Sequence, residues 1–233
     1  MSFAFDFIGG ELLLIDKPSG WTSFDVVNKI RYMIRFRIGS KDIKVGHAGT
    51  LDPLATGLLI VCTGKKTKEI ADLTGLDKEY EGIITLGATT PSLDRETPIS
   101  HTFDYKHITN DDILKIAKYF TGTFDQVPPA YSAKKVKGKR AYELARENEE
   151  VSMDPHPVTV TEFEIKRVEL PEVEFRISCS KGTYIRSIAR DFGRALHSGA
   201  YLTSLRRTRI GDFLLEDAIN LEQLQFLIDA QLA

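Results

Sequence analysis

The segment TGLLIVCTG, residues 56–64, constrains the fold more than any other part of the sequence. It is a short, continuous apolar run bounded by glycines, and such a run is typical of a buried strand. A chain of 233 residues is long enough to build a large core around a strand of this kind. We therefore expect a globular protein with this segment inside it.

Patterns typical of strands and of helices alternate along the rest of the chain without a regular strand–helix–strand period. Strands are predicted over residues 10–16, 56–64, 79–87, 157–168, 172–180 and 200–213. Helices are predicted over residues 23–36, 65–73, 109–122, 140–147, 182–199 and 220–231. This arrangement favours the α+β class, with a mixed, mostly antiparallel sheet.

Cysteine usage and hydropathy exclude several classes of protein. The two cysteines lie in apolar, strand-like text without a CxxC or Cys/His cluster, which argues against a disulfide framework and a zinc site. The N-terminus lacks a basic segment followed by a long apolar one, and no window approaches the roughly 20 apolar residues of a membrane span. We expect a protein of the reducing cytoplasm that is not in a membrane.

Basic residues gather in two segments, although the net charge is only −2. Residues 134–146 contain six basic side chains against one acid, and residues 181–209 contain seven against one acid. Such segregation predicts an electropositive face for a polyanion. Two solvated helix faces would give the same pattern, so the charge alone leaves both interpretations open.

Asp52 stands in a segment rich in turn residues, GHAGTLDPLATG, immediately before the predicted buried strand. The glycines allow the backbone to approach a ligand closely, and Pro53 pushes Asp52 into an extended conformation. A carboxylate held in this way can act as a nucleophile or as a general base. The alternative is an aspartate that accepts backbone hydrogen bonds in its own turn.

Arg186 lies soon after Gly182, which ends a predicted strand. We expect a helix to begin near Thr183, with Tyr184 and Arg186 in its first turn. A cation there opposes the helix dipole and is better explained by an anionic partner. Asp52 and an RNA phosphate are the candidates, and pairing with Asp52 would keep that carboxylate ionised. The alternative is a surface arginine paired with a nearby acid.

Three further side chains have the chemistry to contact RNA. Tyr80 can stack on a flipped base, or it can be a core tyrosine with its hydroxyl at the surface. Lys17 can bind a phosphate or be a solvated lysine. His47 can stack on a base, bind a metal or satisfy a core hydrogen bond, but no second His or Cys lies at ligand spacing, which argues against a metal.

Six motifs occur in order along the chain. They are LLIDKPSGWTSFDVV, GHAGTLDPLATGLL, DKEYEG, QVPPAYSAKKVKGKRAYELAR, CSKGTYIRSIARDFG and LRRT. Together they resemble the TruB-type bacterial tRNA pseudouridine synthases over nearly the whole chain, and GTLDPLATG is highly specific. The resemblance implies the pseudouridine synthase fold, in which helices and RNA-binding loops flank the sheet. It also implies an isomerase that converts uridine-55 in the T loop of tRNA to pseudouridine.

The resemblance implies a role for each candidate residue. Asp52 matches the family's nucleophilic aspartate, Tyr80 the tyrosine that stacks on the flipped uracil, and Arg186 the arginine that pairs with the catalytic carboxylate. Substrate contacts are implied for His47, Lys17, Tyr184 and Leu205. The family uses no metal and no organic cofactor. We expect the T arm of tRNA as the partner, with no protein partner, and a monomer.

The chemistry of these residues agrees with such a reaction. Flipping a base costs a few kcal/mol, and stacking on aromatic side chains, worth roughly 1–3 kcal/mol per base, offsets part of that cost. Asp52 attacks, the C1′–N1 bond breaks, the uracil rotates, and a C1′–C5 bond forms before C5 loses its proton. Addition to uracil C6 and attack or deprotonation at the ribose fit equally well.

Two features depart from the family pattern. The loop TTPSLDRET, residues 89–97, differs from the usual acid- and glycine-containing version, although Asp94 is a candidate for the family's loop aspartate. The sequence also leaves no room for the C-terminal PUA-type domain of many relatives. We therefore expect a single catalytic domain over residues 1–233, with residues 104–150 as an RNA-facing inserted lobe.

Two other functions compete with this enzyme. An RNA chaperone that folds the T arm would use the same basic and aromatic residues, but it has no use for Asp52 paired with Arg186. A hydrolase acting on nucleosides would need a second carboxylate near the first, and the sequence shows no obvious partner beside Asp52.

Overall fold

The computed structural model describes residues 5–39, 42–132, 134–136, 138–147 and 153–230. Lys137 of the first basic segment, residues 133 and 148–150 of the predicted lobe and residue 231 of the last predicted helix lie outside the described residues. Among the residues described, no helix has both the length and the apolar character that crossing a bilayer requires.

Strands and helices alternate irregularly along the chain, as the sequence predicts. The strands are β1 Leu12–Lys17, β2 Val45–Ala48, β3 Thr56–Thr63, β4 Lys78–Leu86, β5 Ala88–Thr89, β6 His101–Thr102, β7 Gly122–Gln126, β8 Lys135–Val136, β9 Lys139–Arg140, β10 His156–Glu169, β11 Glu172–Cys179, β12 Ala200–Ile210 and β13 Phe213–Leu214. The helices are α1 Ser23–Ile38, α2 Ile70–Gly75, α3 Asn110–Tyr119, α4 Ala141–Arg146, α5 Ile185–Ala195 and α6 Leu221–Ala230.

The chain divides into two compact units. Unit 1 consists of Met1–Tyr80 and Arg206–Ala233, and unit 2 of Glu81–Leu205. Residues 104–150, the predicted lobe, belong to unit 2. The single catalytic domain and the RNA-facing role of the lobe stay predictions.

In unit 1, β3 is the strand on which the sheet is built, and seven of its eight residues are buried, as predicted. β1 pairs with β3 antiparallel, with Leu12 opposite Cys62 and Lys17 opposite Gly57. β2 pairs antiparallel with the second half of β3, and β12 pairs parallel with its start. Each fully buried aliphatic side chain here contributes roughly 1.5–3 kcal/mol, which fixes the strand from which the Asp52 loop departs.

Helices α1 and α6 pack on this part of the sheet, and each begins with a pair of reciprocal capping hydrogen bonds. The Thr22 hydroxyl accepts a hydrogen bond from the Asp25 backbone N–H, and the Asp25 carboxylate accepts one from the Thr22 backbone N–H. Asn220 and Gln223 exchange equivalent bonds before α6. Core side chains that pack together here are Ile15, Ile30, Ile34, Leu59, Leu224 and Ile228.

In unit 2 the strand order is β4-β11-β10-β7, and β10 pairs antiparallel with both β11 and β7. Helix α5 packs through Phe192, whose ring centroid lies 5.6 Å from that of Phe163. Antiparallel pairs predominate in both units while β3 and β12 pair parallel, so the predicted α+β class with a mixed sheet is confirmed.

Several predicted helix boundaries are wrong. The helix predicted over residues 65–73 begins as a 3-10 helix, Gly64–Glu69, and α2 starts only at Ile70. Helix α5 ends at Ala195, because His197 adopts a left-handed conformation with φ 54° before Gly199 is reached. Helix α3 ends at Tyr119, and Gly122, with φ 117°, instead opens β7. Tyr184 is the N-cap of α5 rather than part of its first turn.

Candidate active site

Asp52 lies in the loop that links β2 to β3 in unit 1. The loop is fixed immediately beside the aspartate, because the Ser23 hydroxyl donates to the Leu51 carbonyl at 3.2 Å and accepts from the Leu51 N–H at 2.8 Å. Ala55 N–H closes the turn on the Asp52 carbonyl at 3.1 Å. Leu51 and Ala55 are buried, so the backbone on either side of Asp52 is anchored in the core.

Lys17, at the end of β1, holds the far side of the same loop. Its side chain is fully buried, and Nζ donates to the carbonyls of Pro18 at 2.9 Å, Trp21 at 2.6 Å and Pro53 at 3.2 Å. The interpretation as a solvated lysine is therefore wrong. Burial lowers the pKa of Lys17 to about 8, while attraction to the Asp52 carboxylate partly opposes that shift.

Arg207 provides the third support of the loop. It is 1% exposed, and it donates from Nε to the Leu58 carbonyl at 2.8 Å and from Nη2 to the Gly49 carbonyl at 2.9 Å. Gly49 has φ 83°, a conformation that side chains rarely adopt. The motif LRRT contains this arginine, which was counted among the basic residues of a predicted electropositive face. A buried guanidinium that serves two carbonyls is a structural support instead.

His47 lies on β2 opposite Val61 and is partly buried. Burial, and secondly the charge of Arg207, lower the pKa of His47, so the imidazole is neutral at neutral pH. Within the described part of the chain, its Nδ1 has no hydrogen-bond partner. A neutral ring suits stacking on a base better than binding a phosphate. Its contact with the substrate stays a prediction.

Tyr80 is the last residue of unit 1 and lies on β4, with 8% of its surface exposed. Leu205 is the last residue of unit 2 and lies on β12, where it is partly buried. The roles implied for these two residues in holding uracil stay predictions.

Arg186, in the first turn of α5, is the candidate catalytic cation of unit 2. It is 4% exposed and donates from Nη1 to the Ser92 carbonyl and from Nη2 to the Tyr131 carbonyl, each at 2.9 Å. Its Nε lies 3.6 Å from Oδ2 of Asp94. Asp94 is therefore an anionic partner of the kind that a cation at a helix N-terminus requires. The alternative of a surface arginine paired with a nearby acid is right about the acid, Asp94, and wrong about the surface, because the side chain is buried.

The loop that carries Asp94 is held by its own side chains. Ser92 exchanges hydrogen bonds with Thr97, with the two hydroxyl oxygens 2.8 Å apart. The Thr90 hydroxyl donates to the Asp94 carbonyl at 2.6 Å, and the Asp94 carboxylate accepts from the Glu96 N–H at 2.9 Å. The segment that departs from the family pattern thus forms a compact loop with its carboxylate aimed at Arg186.

Tyr184 is positioned by Gln126, the first residue of the motif QVPPAYSAKKVKGKRAYELAR, to which no role was assigned from the motif. The Tyr184 N–H donates to Gln126 Oε1 at 2.8 Å, and Gln126 Nε2 donates to the Tyr184 carbonyl at 3.1 Å. Gln126 is 1% exposed, so this pair of bonds is shielded from water. The start of α5, and hence Arg186, is fixed from β7.

The electropositive face expected from residues 181–209 is smaller than the count of charges suggests. Arg190 pairs with Asp191 at 2.8 Å, and Arg206 pairs with Asp16 at 2.7 Å. Arg186 and Arg207 are buried. The lysine and arginine residues of this segment that remain exposed are Lys181 and Arg194, and Arg194 lies 3.9 Å from Asp191.

The two units therefore present two groups of candidate residues. Unit 1 holds Asp52 on an anchored loop with a neutral imidazole, and unit 2 holds a buried arginine with a carboxylate partner. The predicted pair of Asp52 and Arg186 has one member in each unit and stays a prediction. Among the described residues, no cluster of three His, Cys, Asp or Glu side chains could hold a metal ion.

Comparison with protein families gives two matches. Residues 35–185 match the N-terminal domain of the TruB family pseudouridylate synthases, and residues 186–231 match the C-terminal domain described for tRNA pseudouridylate synthase B. The tRNA pseudouridine synthase B of Flavobacterium johnsoniae is 52% identical over 217 residues, covering 93% of this chain and 95% of the relative. That of Phocaeicola vulgatus is 52% identical over 226 residues, covering 97% and 96%.

Solved structures give the same grouping. A chain of a Cbf5–Nop10–Gar1 complex superposes with a TM-score of 0.70 and 29% identity over 94% of this chain. A chain of an H/ACA RNP bound to a substrate RNA containing 2′-deoxyuridine superposes with a TM-score of 0.68 and 28% identity, also over 94%. This chain spans 54% of the length of each of those two chains.

Proposed function

Because the chain belongs to the TruB family of pseudouridylate synthases, we propose that it isomerises uridine-55 in the T loop of tRNA to pseudouridine. The membership confirms the resemblance drawn from the motifs, the pseudouridine synthase fold and the enzyme class, an isomerase. The identity of the nucleotide and the roles of individual residues are the content of the proposal.

The proposal assigns the nucleophile to Asp52. Its carboxylate attacks the flipped nucleotide, either at uracil C6 or at the ribose, and the C1′–N1 bond breaks. The uracil rotates, C5 bonds to C1′, the C5 proton leaves, and the aspartate is released unchanged. The observation that carries this assignment is the anchoring of the Asp52 loop by three buried side chains, Ser23, Lys17 and Arg207. A pre-positioned nucleophile removes much of the entropic cost of attack.

The other candidates hold and orient the nucleotide. Tyr80 and His47 offer rings for stacking, and Arg186 pairs with the catalytic carboxylate while Asp94 positions its guanidinium. Tyr184 and Leu205 line the uracil pocket. Lys17 contributes indirectly, since its ammonium faces backbone carbonyls rather than RNA.

The proposal extends to the setting of the reaction. The enzyme acts as a monomer in the cytoplasm on the T arm of tRNA, through one catalytic domain over residues 1–233. Residues 104–150 face the RNA, and no metal or organic cofactor takes part. Contacts with phosphates make its tRNA affinity dependent on salt.

Release of tritium from a tRNA transcript labelled at uridine C5 tests this function. We expect wild-type protein to release tritium stoichiometrically with uridine-55, and the Asp52→Asn variant to release none, because an amide is a poor nucleophile. The matched control is Asp72→Asn, which changes an exposed aspartate of the same unit and should leave the rate unchanged.

Two outcomes would contradict the proposal. Turnover by Asp52→Asn at the wild-type rate would remove Asp52 from the chemistry. Tight tRNA binding by wild-type protein without tritium release would instead support the RNA chaperone.

A further inference from the structure

The outer face of α1 carries three large aromatic side chains that the proposed reaction does not use. Phe24, Tyr32 and Phe36 are 61%, 65% and 79% exposed. Their spacing of eight and four residues places them along one side of the helix. The rings of Tyr32 and Phe36 lie nearly parallel with centroids 6.3 Å apart. Several large apolar side chains exposed on one side of a helix are typical of an interaction surface.

The exposed charged side chains of α1 include the cations Lys29 and Arg35 and one acid, Asp25, whose carboxylate accepts hydrogen bonds from Thr22 in the capping box. Aromatic rings interleaved with cations are the combination that binds single-stranded nucleic acid, since bases stack on the rings while the cations meet phosphates.

A cavity of about 680 Å³ lies beside α1 and is lined in part by Trp21, which precedes the helix, and by Lys29 within it. The apolar part of its wall includes Trp21, Met33 and Leu221. Asp16 and Glu222 also line it, so the interior repels a phosphate but can accept hydrogen bonds from the amino group of a base. Its volume lies within the range of ordinary ligand pockets.

We propose that this surface, the α1 surface, consisting of Trp21, Phe24, Lys29, Tyr32, Arg35 and Phe36, binds unpaired nucleotides of RNA at a place separate from the T-loop uridine. Bases stack on the aromatic stripe, one base enters the cavity against Trp21, and Lys29 meets its phosphate. In the cell the RNA is the tRNA substrate outside its T arm, a step that rests on the proposed function. A second copy of the chain is the competing occupant, which the oligomeric state of the variant distinguishes from RNA.

The chain offers a direct probe, because Trp21 is its only tryptophan. We would titrate wild-type protein with a hexamer of riboadenylate, which contains no uridine, and with tRNA transcript, following Trp21 fluorescence and affinity. The test variant is Y32A/F36A, and the control is Tyr119→Ala, an exposed aromatic residue on α3. Turnover of an isolated T-arm hairpin is measured for every protein.

We expect the hexamer to quench Trp21 in wild-type protein and Y32A/F36A to bind both RNAs at least tenfold more weakly, with hairpin turnover unchanged. The Tyr119→Ala variant should bind like wild type. Equal affinity of wild type and Y32A/F36A would overturn the proposal. A wild-type dimer that Y32A/F36A converts to a monomer without loss of RNA affinity would also overturn it and assign the surface to self-association. If the hairpin is not isomerised at all, the proposed function fails while the hexamer still tests the α1 surface.

Discussion

The Arg186 guanidinium lies 3.6 Å from the Asp94 carboxylate, with side chains only 5% and 9% exposed. Burying two charges costs free energy that their attraction repays only when the remaining donors and acceptors are satisfied. Here the Ser92 and Tyr131 carbonyls accept from the guanidinium. The pair therefore fixes one orientation of the arginine.

Asp94→Ala should destabilise the protein strongly, because it removes a buried carboxylate that lies 3.6 Å from the buried Arg186 guanidinium. We expect the free energy of unfolding to fall by about 3–5 kcal/mol in urea denaturation. Glu96→Gln is the control, since Glu96 pairs at 2.7 Å with Arg146, whose side chain is 62% exposed, and such a pair contributes about 0–1 kcal/mol. Equal decreases in the unfolding free energy of the two variants would show that burial does not strengthen the contribution of the Arg186–Asp94 pair to stability.

Arg186→Lys should lower turnover at least a hundredfold in the tritium-release assay while tRNA binding changes little. A lysine keeps the charge but cannot serve two carbonyls and a carboxylate from one planar group. Arg194→Lys makes the same change at a 72% exposed position of the same helix and should leave turnover unchanged. Near-normal turnover of the Arg186 variant would show that the charge alone suffices.

Ser23→Ala tests whether the Asp52 loop must be anchored. The change removes the partner of both backbone groups of Leu51, and we expect a loss of about 1–3 kcal/mol in unfolding free energy. Turnover should fall more than tRNA affinity, because the nucleophile is displaced. Ser19→Ala, an exposed serine that makes a single bond of 3.4 Å to the Leu54 carbonyl, should change neither quantity.

Lys17 should give the protein a distinctive stability profile at alkaline pH. Its pKa is about 8 in the folded chain against an ordinary value of 10.5. Between these values the unfolded chain holds more protons, so the contribution of this group to the unfolding free energy rises with pH. The difference between wild type and Lys17→Met should therefore increase from about pH 8 to 10.5 and be flat below pH 8.

The comparison for that profile is Lys66→Met, which replaces a lysine of the same unit whose side chain is 40% exposed. Both variants are measured against wild type at each pH. A flat Lys17→Met difference would mean that the ammonium is not desolvated in the folded chain.

The sequence predicted the elements whose signals are local. The β3 strand follows from an apolar run and the start of α1 from Thr22 and Asp25, since each depends on neighbours within a few residues. The short strands β2, β5 and β6 were not predicted, because two to four residues carry too little periodicity to separate a strand from a loop.

The supports of the site could not be predicted for a different reason. Each support is a hydrogen bond between residues far apart in sequence. Arg207 and Gly49 are 158 positions apart, Ser23 and Leu51 are 28 apart, and Gln126 and Tyr184 are 58 apart. Nothing in the composition near these residues distinguishes a buried cation from a surface one. The motifs identify Asp52 and Arg186, but only the fold reveals what holds their surroundings.

The amide of Gln126 behaves toward Tyr184 as an extra peptide group, with one donor and one acceptor matched to one carbonyl and one N–H. The position at which helix α5 begins is therefore set by a side chain of β7. Gln126→Glu removes the amide donor and places a carboxylate in a buried position. We expect this change to shift the first turn of α5 and to displace Arg186. The orientation of the Arg186 side chain thus depends on a strand that carries no candidate catalytic residue.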